Sequence, residues 1–452
     1  MPAKTLIKST SGIRGIVGRG LDPLLATAYG AAFGNLLKTG TVVVGRDSRP
    51  SGEMLMRSVV AGLMSVGMDV VEIGIVPTPT VEIAVAKLKV AGGICVTASH
   101  NPAEWNALKF FNSRGEFITA AQFRKLERIF DSGKFACKPA ARLGTVEYQG
   151  RWIDEHIRMT LAAVVVNGRA VRKRRFRVAV DAINGAGSQA LPTLLERLGA
   201  TVIRINCKGD GDFVHEPEPA PQNLSQLARA VKRHKADLGM ACDADADRLA
   251  LVDETGRPIG EELTLAIAVR QVLRKVRGPT VINLSTSKVS ADTAQAAGSQ
   301  VYYSRVGEAN VVEMMRAKKA VIGGEGNGGV IYPSFHAGRD SLIAAALVLS
   351  CLARERCCLS ALASTFPAYY IVKSRARLTA DFAGRLKKLE KEAPKWLGPA
   401  TVDRKDGLRF DFQRGWLQVR SSNTEPIFRL IVETDNSVLT KALSRKVMKL
   451  FG

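Results

Sequence analysis

The 452-residue sequence has no CxxC pair and no apolar run of the roughly 18 residues that a membrane helix requires. Nor does a hydrophobic stretch follow its basic start, MPAKTLIKSTSGIRG. The first absence leaves the seven cysteines (95, 137, 207, 242, 351, 357 and 358), five of them in apolar or strand-like runs, to be expected as buried thiols. From the others neither a membrane span nor a secretory leader is expected, and the chain is expected in the cytoplasm. Its longest apolar run, AAALVLSCLA at 344–353, has the length of an interior helix. Acidic residues are scarce too: 42 against 65 Lys and Arg, a formal charge of +23. Basic excess can mean nucleic acid, an anionic membrane or an anionic substrate. The chain lacks an RNA-recognition signature, zinc-finger spacing and a basic heptad region interleaved with aromatics. Its densest basic run, RAVRKRRFR at 169–177, stands just before a strand-like segment, and the remaining charge is dispersed. A nucleic-acid partner is therefore not expected; a solvated basic surface that draws phosphorylated small molecules is.

What is present is the composition of a soluble globular protein, 46% hydrophobic and 24% charged. The chain is too long for one core, and about 100–200 residues per domain suggests three or four. Strand-like and helix-like patterns alternate, which favours α/β units. TVVVGRD (41–47), a helix over 51–67 and DVVEIGIV (69–76) open the first, and GGICVTAS then brings Ser99 to a strand end. A second starts near 151, with FRVAVDAI, a helix over 185–199, ATVIRIN and then ADLGMACDADADRLALVDETG. A third runs from about 256 through TVINLS, a helix from about Lys288, VYYSRV and a second helix to AVIGGEGNGGVIYP and the apolar helix at 340–355. From 368 the character changes to consecutive strands closed by a C-terminal helix. The expected domains are 1–150, 151–255, 256–367 and 368–452.

Four stretches carry chemistry. In TASHNP (97–102), Ser99 at a strand end lies where open α/β sheets gather ligands. In DADADR (243–248), three carboxylates at alternate positions can curl round one hard cation, and that close they repel unless a cation neutralises them. An EF-hand loop counted from Asp243 puts Glu254 at its twelfth position but Arg248 where glycine is needed, and strand-like LALV fills its middle, so Mg²⁺ with a position open for a phosphate oxygen fits better. GGEGNGGVIYP (323–333) satisfies G-x-G-x-x-G but runs on into a strand where the dinucleotide fingerprint needs a helix. It reads as a loop presenting Glu325 and Asn327 to hydroxyls, or as a plain glycine hairpin. RSSNTEPIFR (420–429) offers guanidinium, hydroxyl, amide and backbone donors suited to a phosphate, or is a Ser/Asn turn.

Together they imply a single site with a metal triad, a serine, a hydroxyl reader and a phosphate cradle. Adjacent side chains at a strand end usually point apart, so a hydrolase-type Ser99–His100 pair is not expected, and GxSxG is absent. Phosphoryl transfer through a serine suits these parts better than acyl transfer.

In this order and spacing, TASHNP, DADADR, GEGNGG and RSSNTEP resemble the four signature loops of the α-D-phosphohexomutases, and SGIRG (11–15) and GRDSRPSG (45–52) look like theirs too. The resemblance covers essentially the whole chain. It implies four domains around a central cleft: three similar α/β domains with mixed sheets and a smaller C-terminal α+β domain. It implies a phosphorylated Ser99, with His100, Lys109, Arg14 and Arg248 beside it in the catalytic site. Lys109 would be the general base and Arg248 would meet the phosphoryl oxygens. Asp243, Asp245 and Asp247, with an oxygen of phosphorylated Ser99, would hold one Mg²⁺. Glu325 and Asn327 would read the sugar, and Arg420, Ser422, Asn423, Thr424 and Arg429 would hold its non-reacting phosphate. The implied reaction passes a phosphoryl group between Ser99 and a hexose phosphate, with a sugar 1,6-bisphosphate as intermediate and activator, in a monomer or homodimer.

Three departures bear on the sugar. Many relatives have Ser and then His in the sugar loop where this chain has Asn327 and Gly329, which leaves His336 and Arg339 as nearby replacements. Ala244 stands where glycine is usual, and Glu308 in RVGEANV stands where glucosamine-type members carry an acid. The expected substrate is therefore glucosamine phosphate, ahead of glucose or mannose phosphate. The rivals are a phosphatase and a non-catalytic protein that binds sugar phosphates or nucleic acid.

Overall fold

A computed structural model describes residues 6–379, 381–422 and 427–452. Four sheets follow one another along the chain. The first has seven strands, in spatial order Ile7–Ser9, Gly12–Ile16, Trp105–Asn112, Gly92–Val96, Thr41–Arg46, Asp69–Ile75 and Val146–Tyr148. Its centre is parallel, and Val42, Val43 and Val44 are all fully buried because helices cover both faces. Helices Pro23–Leu37 and Ser51–Ser65 on one face come so close that a Cβ on Gly62 would lie 2.1 Å from the Thr27 carbonyl oxygen.

The second sheet runs Leu249–Asp253, Leu238–Cys242, Arg177–Asp181, Thr201–Ile205, and the third Val301–Ser304, Thr280–Asn283, Ile322–Glu325, Gly329–Ile331. Each is parallel apart from one antiparallel edge strand. The apolar run identified in the sequence is helix Ser341–Glu355, buried from Ser341 through Ala353. It packs against Glu261–Leu273 of the third unit and against Trp152–Ala162, Gly168–Arg174 and Gly187–Arg197 of the second. That helix lies in a single apolar core extending through the first three units, so truncating a leucine such as Leu347 to alanine should cost about 2–5 kcal/mol. The fourth sheet is wholly antiparallel, in the order Tyr370–Arg377, Ile427–Thr434, Gly415–Ser421, Leu408–Phe412, Ala400–Asp403, with its own core against Phe382–Glu392 and Ser437–Phe451.

Ser99, Asp243 and Glu325 all stand at or just beyond the carboxyl ends of strands, in three different units. The basic run at 169–177 is solvated, with its five arginines and Lys173 exposed. The cysteine expectation holds only in part: Cys95, Cys242 and Cys351 are buried, whereas Cys207 and Cys357 are half-buried and Cys137 and Cys358 exposed. Cys357 and Cys358 fall in the turn after the apolar helix, past the point where it leaves the core. No helix of the described residues is long and apolar enough to cross a membrane.

Candidate active site

The serine loop is built from two segments fifty residues apart. Strand Gly92–Val96 delivers Thr97, whose hydroxyl accepts from the Ser99 N–H at 3.0 Å and donates to Asp47 Oδ2 at 2.6 Å. Arg49, wholly buried and ion-paired with Asp47, donates to the carbonyls of Ser99 at 2.8 Å and Asn101 at 2.5 Å. So held, Ser99 adopts φ +53°, a left-handed conformation that is strained for a residue with a Cβ and recurs at functional sites. That backbone turn breaks the strand alternation. The expectation that Ser99 and His100 diverge is thereby corrected: His100 Nδ1 lies 3.4 Å from Ser99 Oγ.

Arg248 donates to the same Nδ1 at 3.0 Å, so that nitrogen carries a lone pair. Burial, reinforced by Arg248 and Arg14, drives the His100 pKa well below its ordinary value, and the ring is neutral. Among the described residues no carboxylate hydrogen-bonds the ring to orient it, so the pair is not built as a hydrolase triad. Arg14 donates to Asn101 Oδ1 at 2.5 Å, and burial lowers its pKa to about 10, still charged at neutral pH.

The three aspartates converge in the loop between strands Leu238–Cys242 and Leu249–Asp253, with one oxygen of each within 4.8 Å of the others and all three buried. Leu249–Asp253 being a strand excludes an EF-hand loop. Asp243 Oδ1 accepts from the N–H groups of Asp247 and Arg248, and Oδ2 accepts from Ser99 Oγ at 2.9 Å. Asp245 Oδ2 accepts from Lys109 at 2.5 Å and Thr78 at 2.6 Å, and Asp247 Oδ2 accepts from Arg339 at 2.6 Å. Asp245 Oδ1 and Asp247 Oδ1 are buried without a hydrogen-bond partner. Two orphaned carboxylate oxygens beside a third carboxylate are the donor set of a hard divalent cation, and the residues fit one. Desolvation and repulsion from Asp247 and Asp245 raise the Asp243 pKa, as expected of acids gathered without a counter-ion.

Lys109 shows the opposite balance. Burial alone would lower its pKa, but Asp245 and Asp247 hold it above the ordinary lysine value. It is an ammonium in this arrangement, whereas the general-base role implied by the resemblance needs the neutral amine.

Glu325 ends strand Ile322–Glu325 and is tightly held: Oε1 accepts from Asn283 at 2.7 Å and Gly307 N at 3.0 Å, and Oε2 lies 3.2 Å from Arg339. The Asn327 side chain turns back on its own loop, accepting from Gly329 N at 3.1 Å. Of the two candidates to replace the sugar-loop histidine, His336 faces away toward Glu82, 3.2 Å off, and is neutral, its pKa lowered to about 4 by burial. Arg339 occupies the space: a Cβ on Gly329 would lie 2.3 Å from Arg339 Cδ.

Arg420 and Arg429 are register partners on adjacent strands of the fourth sheet. Arg420 is buried, which lowers its pKa, while Asp406 and Glu325 act to raise it; the guanidinium is thus within electrostatic reach of Glu325. Ser422 N donates to the Ile427 carbonyl at 2.8 Å; Asn423 and Thr424 lie outside the described residues. Lys373 ties the first strand of this sheet to the Gly326 carbonyl (3.1 Å), Glu261 (2.8 Å) and Glu262 (2.9 Å). Sequence reasoning missed Thr78, Lys373 and the buttressing by Asp47 and Arg49, although GRDSRPSG had signalled the last pair.

Family descriptions match along nearly the whole chain: phosphoglucomutase/phosphomannomutase alpha/beta/alpha domain I over 5–136, domain II over 154–256, domain III over 260–370 and the C-terminal domain over 371–450. The chain belongs to the phosphoglucomutase/phosphomannomutase family. It is accordingly a phosphohexomutase, an isomerase of the intramolecular phosphotransferase type. A phosphoglucomutase/phosphomannomutase of Thermococcus kodakarensis is 36% identical over 433 residues, 94% of this chain and 93% of the relative. A probable phosphoglucosamine mutase of Methanopyrus kandleri is 36% identical over 436 residues, 96% and 95% of the two chains. Among solved structures, a phosphoglucomutase/phosphomannomutase family protein of Burkholderia thailandensis superposes with TM-score 0.85 at 27% identity, covering 98% of this chain and 97% of that one. The family's four-domain architecture is the one described above.

Proposed function

We propose that the protein interconverts a hexose 6-phosphate and a hexose 1-phosphate through phosphorylated Ser99 and a 1,6-bisphosphate, with glucosamine phosphate as its substrate. The observation that carries the mechanism is Ser99 Oγ at 2.9 Å from Asp243, inside a buried site that also gathers Arg14, Arg248 and Lys109. Asp243, Asp245 and Asp247, with an oxygen of phosphorylated Ser99, would hold Mg²⁺, which when bound neutralises charge on the phosphoryl oxygens.

In the first half-reaction a sugar hydroxyl forms a bond to phosphorus as the Ser99 Oγ–P bond breaks, and Ser99 regains the proton that the sugar loses. The neutral His100 ring lies 3.4 Å from the serine oxygen with its Nδ1 lone pair engaged by Arg248, and Lys109 supplies an ammonium that can return a proton. The bisphosphate turns over in the cleft, and its other phosphoryl group passes to Ser99 by the same exchange in reverse. Arg420 and Arg429, with Ser422, Asn423 and Thr424, grip whichever phosphate is not reacting. Glu325 and Asn327 read the sugar. Positioning and charge complementarity supply most of the acceleration.

The preference for an amino sugar rests on charge: Glu308, Glu325 and Asp247 set three carboxylates against the single guanidinium of Arg339, which favours an ammonium-bearing ring. Neutral hexose phosphates are the second reading, supported by the name of the Thermococcus relative. Turnover with Mg²⁺ on glucosamine-, glucose- and mannose-6-phosphate, each primed with its 1,6-bisphosphate, separates them. Preference for glucosamine supports the reading; steady phosphate release without isomerisation would replace it with a phosphatase.

A further inference from the structure

Arg339 is buried at the junction of three segments. Its Nε and its backbone N–H each donate at 3.0 Å to a different oxygen of Glu308, Nη1 lies 3.2 Å from Glu325 Oε2, and Nη2 donates to Asp247 Oδ2 at 2.6 Å. Glu308 opens helix Glu308–Lys318, Glu325 belongs to the sugar loop and Asp247 to the metal loop. The mount is rigid. Asp340, next along the chain, caps the core helix through Leu342 N at 2.8 Å and pairs with His156 at 2.9 Å.

A guanidinium is protonated throughout the ordinary pH range, and three carboxylates face this one, so it stays charged. A lysine could not reproduce this, because one ammonium lacks the planar fork that reaches several carboxylates at fixed angles. The aliphatic stem also closes the space beside Gly329, so position and charge are set by one side chain.

We propose that Arg339 is a positioning residue that determines sugar specificity: by clamping Glu308 and Glu325 it fixes how much negative charge the sugar wall presents, and hence how strongly the enzyme favours an amino sugar over a neutral one. This rests on the hexose-phosphate reading above.

The test compares full-length wild type with R339M, R339K, E308Q and R339M/E308Q, using glucosamine-6-phosphate and glucose-6-phosphate. It reads kcat/KM with Mg²⁺ and, separately, calorimetric Kd in EDTA. Losing one buried positive charge should raise the amino-to-neutral ratio in R339M by about tenfold in both readouts. E308Q should move the ratio the opposite way, and the double variant should return toward wild type. R339K should fall between wild type and R339M. Should R339M not fold, R339K and E308Q still give the two directions. Equal losses on both sugars, or an unmoved ratio in E308Q, would overturn the proposal. Wild type that binds both sugars without turning either over would sink the mutase reading on these sugars, while the Kd ratios still test Arg339.

Discussion

The guanidinium of Arg49 donates at 2.8 Å to the carbonyl of Ser99, fifty residues away, while its partner Asp47 accepts at 2.6 Å from the Thr97 hydroxyl that in turn receives the Ser99 N–H. A left-handed serine is thus held from both sides of its own peptide units. Arg49→Met leaves Asp47 buried and unpaired, which should destabilise by about 3–5 kcal/mol. Release of the loop should lower kcat by about 10²-fold. The double variant D47N/R49M should recover stability without recovering kcat. Urea unfolding alongside steady-state assays checks both, and a kcat that follows stability back would show that the pair acts on folding alone.

Ser99→Ala should reduce turnover on the order of 10³-fold or more, since no other described hydroxyl donates to Asp243. The melting temperature should change by no more than a few degrees. Intact-mass measurement after incubation with glucose 1,6-bisphosphate should show one added phosphoryl group in wild type and none in the variant; full activity in S99A would remove the phosphoserine from the mechanism.

Glu262 predicts a pH effect away from the metal loop. Burial raises its pKa to about 7 from 4.5, with Lys373 opposing. Between those values the native carboxyl keeps a proton that the unfolded one loses. Native protein binds more protons there, so stability falls as pH rises from about 4.5 through about 7, by roughly 3 kcal/mol from this group alone. Glu262→Gln, whose amide oxygen can still accept from Ser287 N, should flatten that part of the curve. Denaturant midpoints at pH 5, 6, 7 and 8 measure it; an unchanged slope in E262Q would assign the dependence to other buried acids.

The +23 formal charge should act on encounter. Raising ionic strength from about 0.01 M to about 0.1 M shortens the screening length from ~30 to ~10 Å. For a dianionic sugar phosphate, kcat/KM should fall several-fold while kcat stays nearly constant. Stopped-flow or initial-rate series in NaCl read this directly, and a fall confined to kcat would locate the salt effect in chemistry or domain motion.

Much of this protein was fixed by residue order alone. Alternating apolar runs specify α/β units because strands and helices have different periods, and DADADR gathers three carboxylates within six residues, so a short loop suffices to bring them together. The tertiary structure decided what depends on residues distant in the chain. Arg49 meets Ser99, Thr78 and Lys109 meet Asp245, and Arg339 meets Asp247, Glu308 and Glu325 only because separate units stack around a common core. The state of each group followed from that stacking: burial beside Arg248 and Arg14 keeps His100 neutral, and two buried carboxylates keep Lys109 charged. Spacing in a sequence encodes neighbours along one loop, whereas desolvation and charge pairing depend on what arrives from elsewhere in the chain.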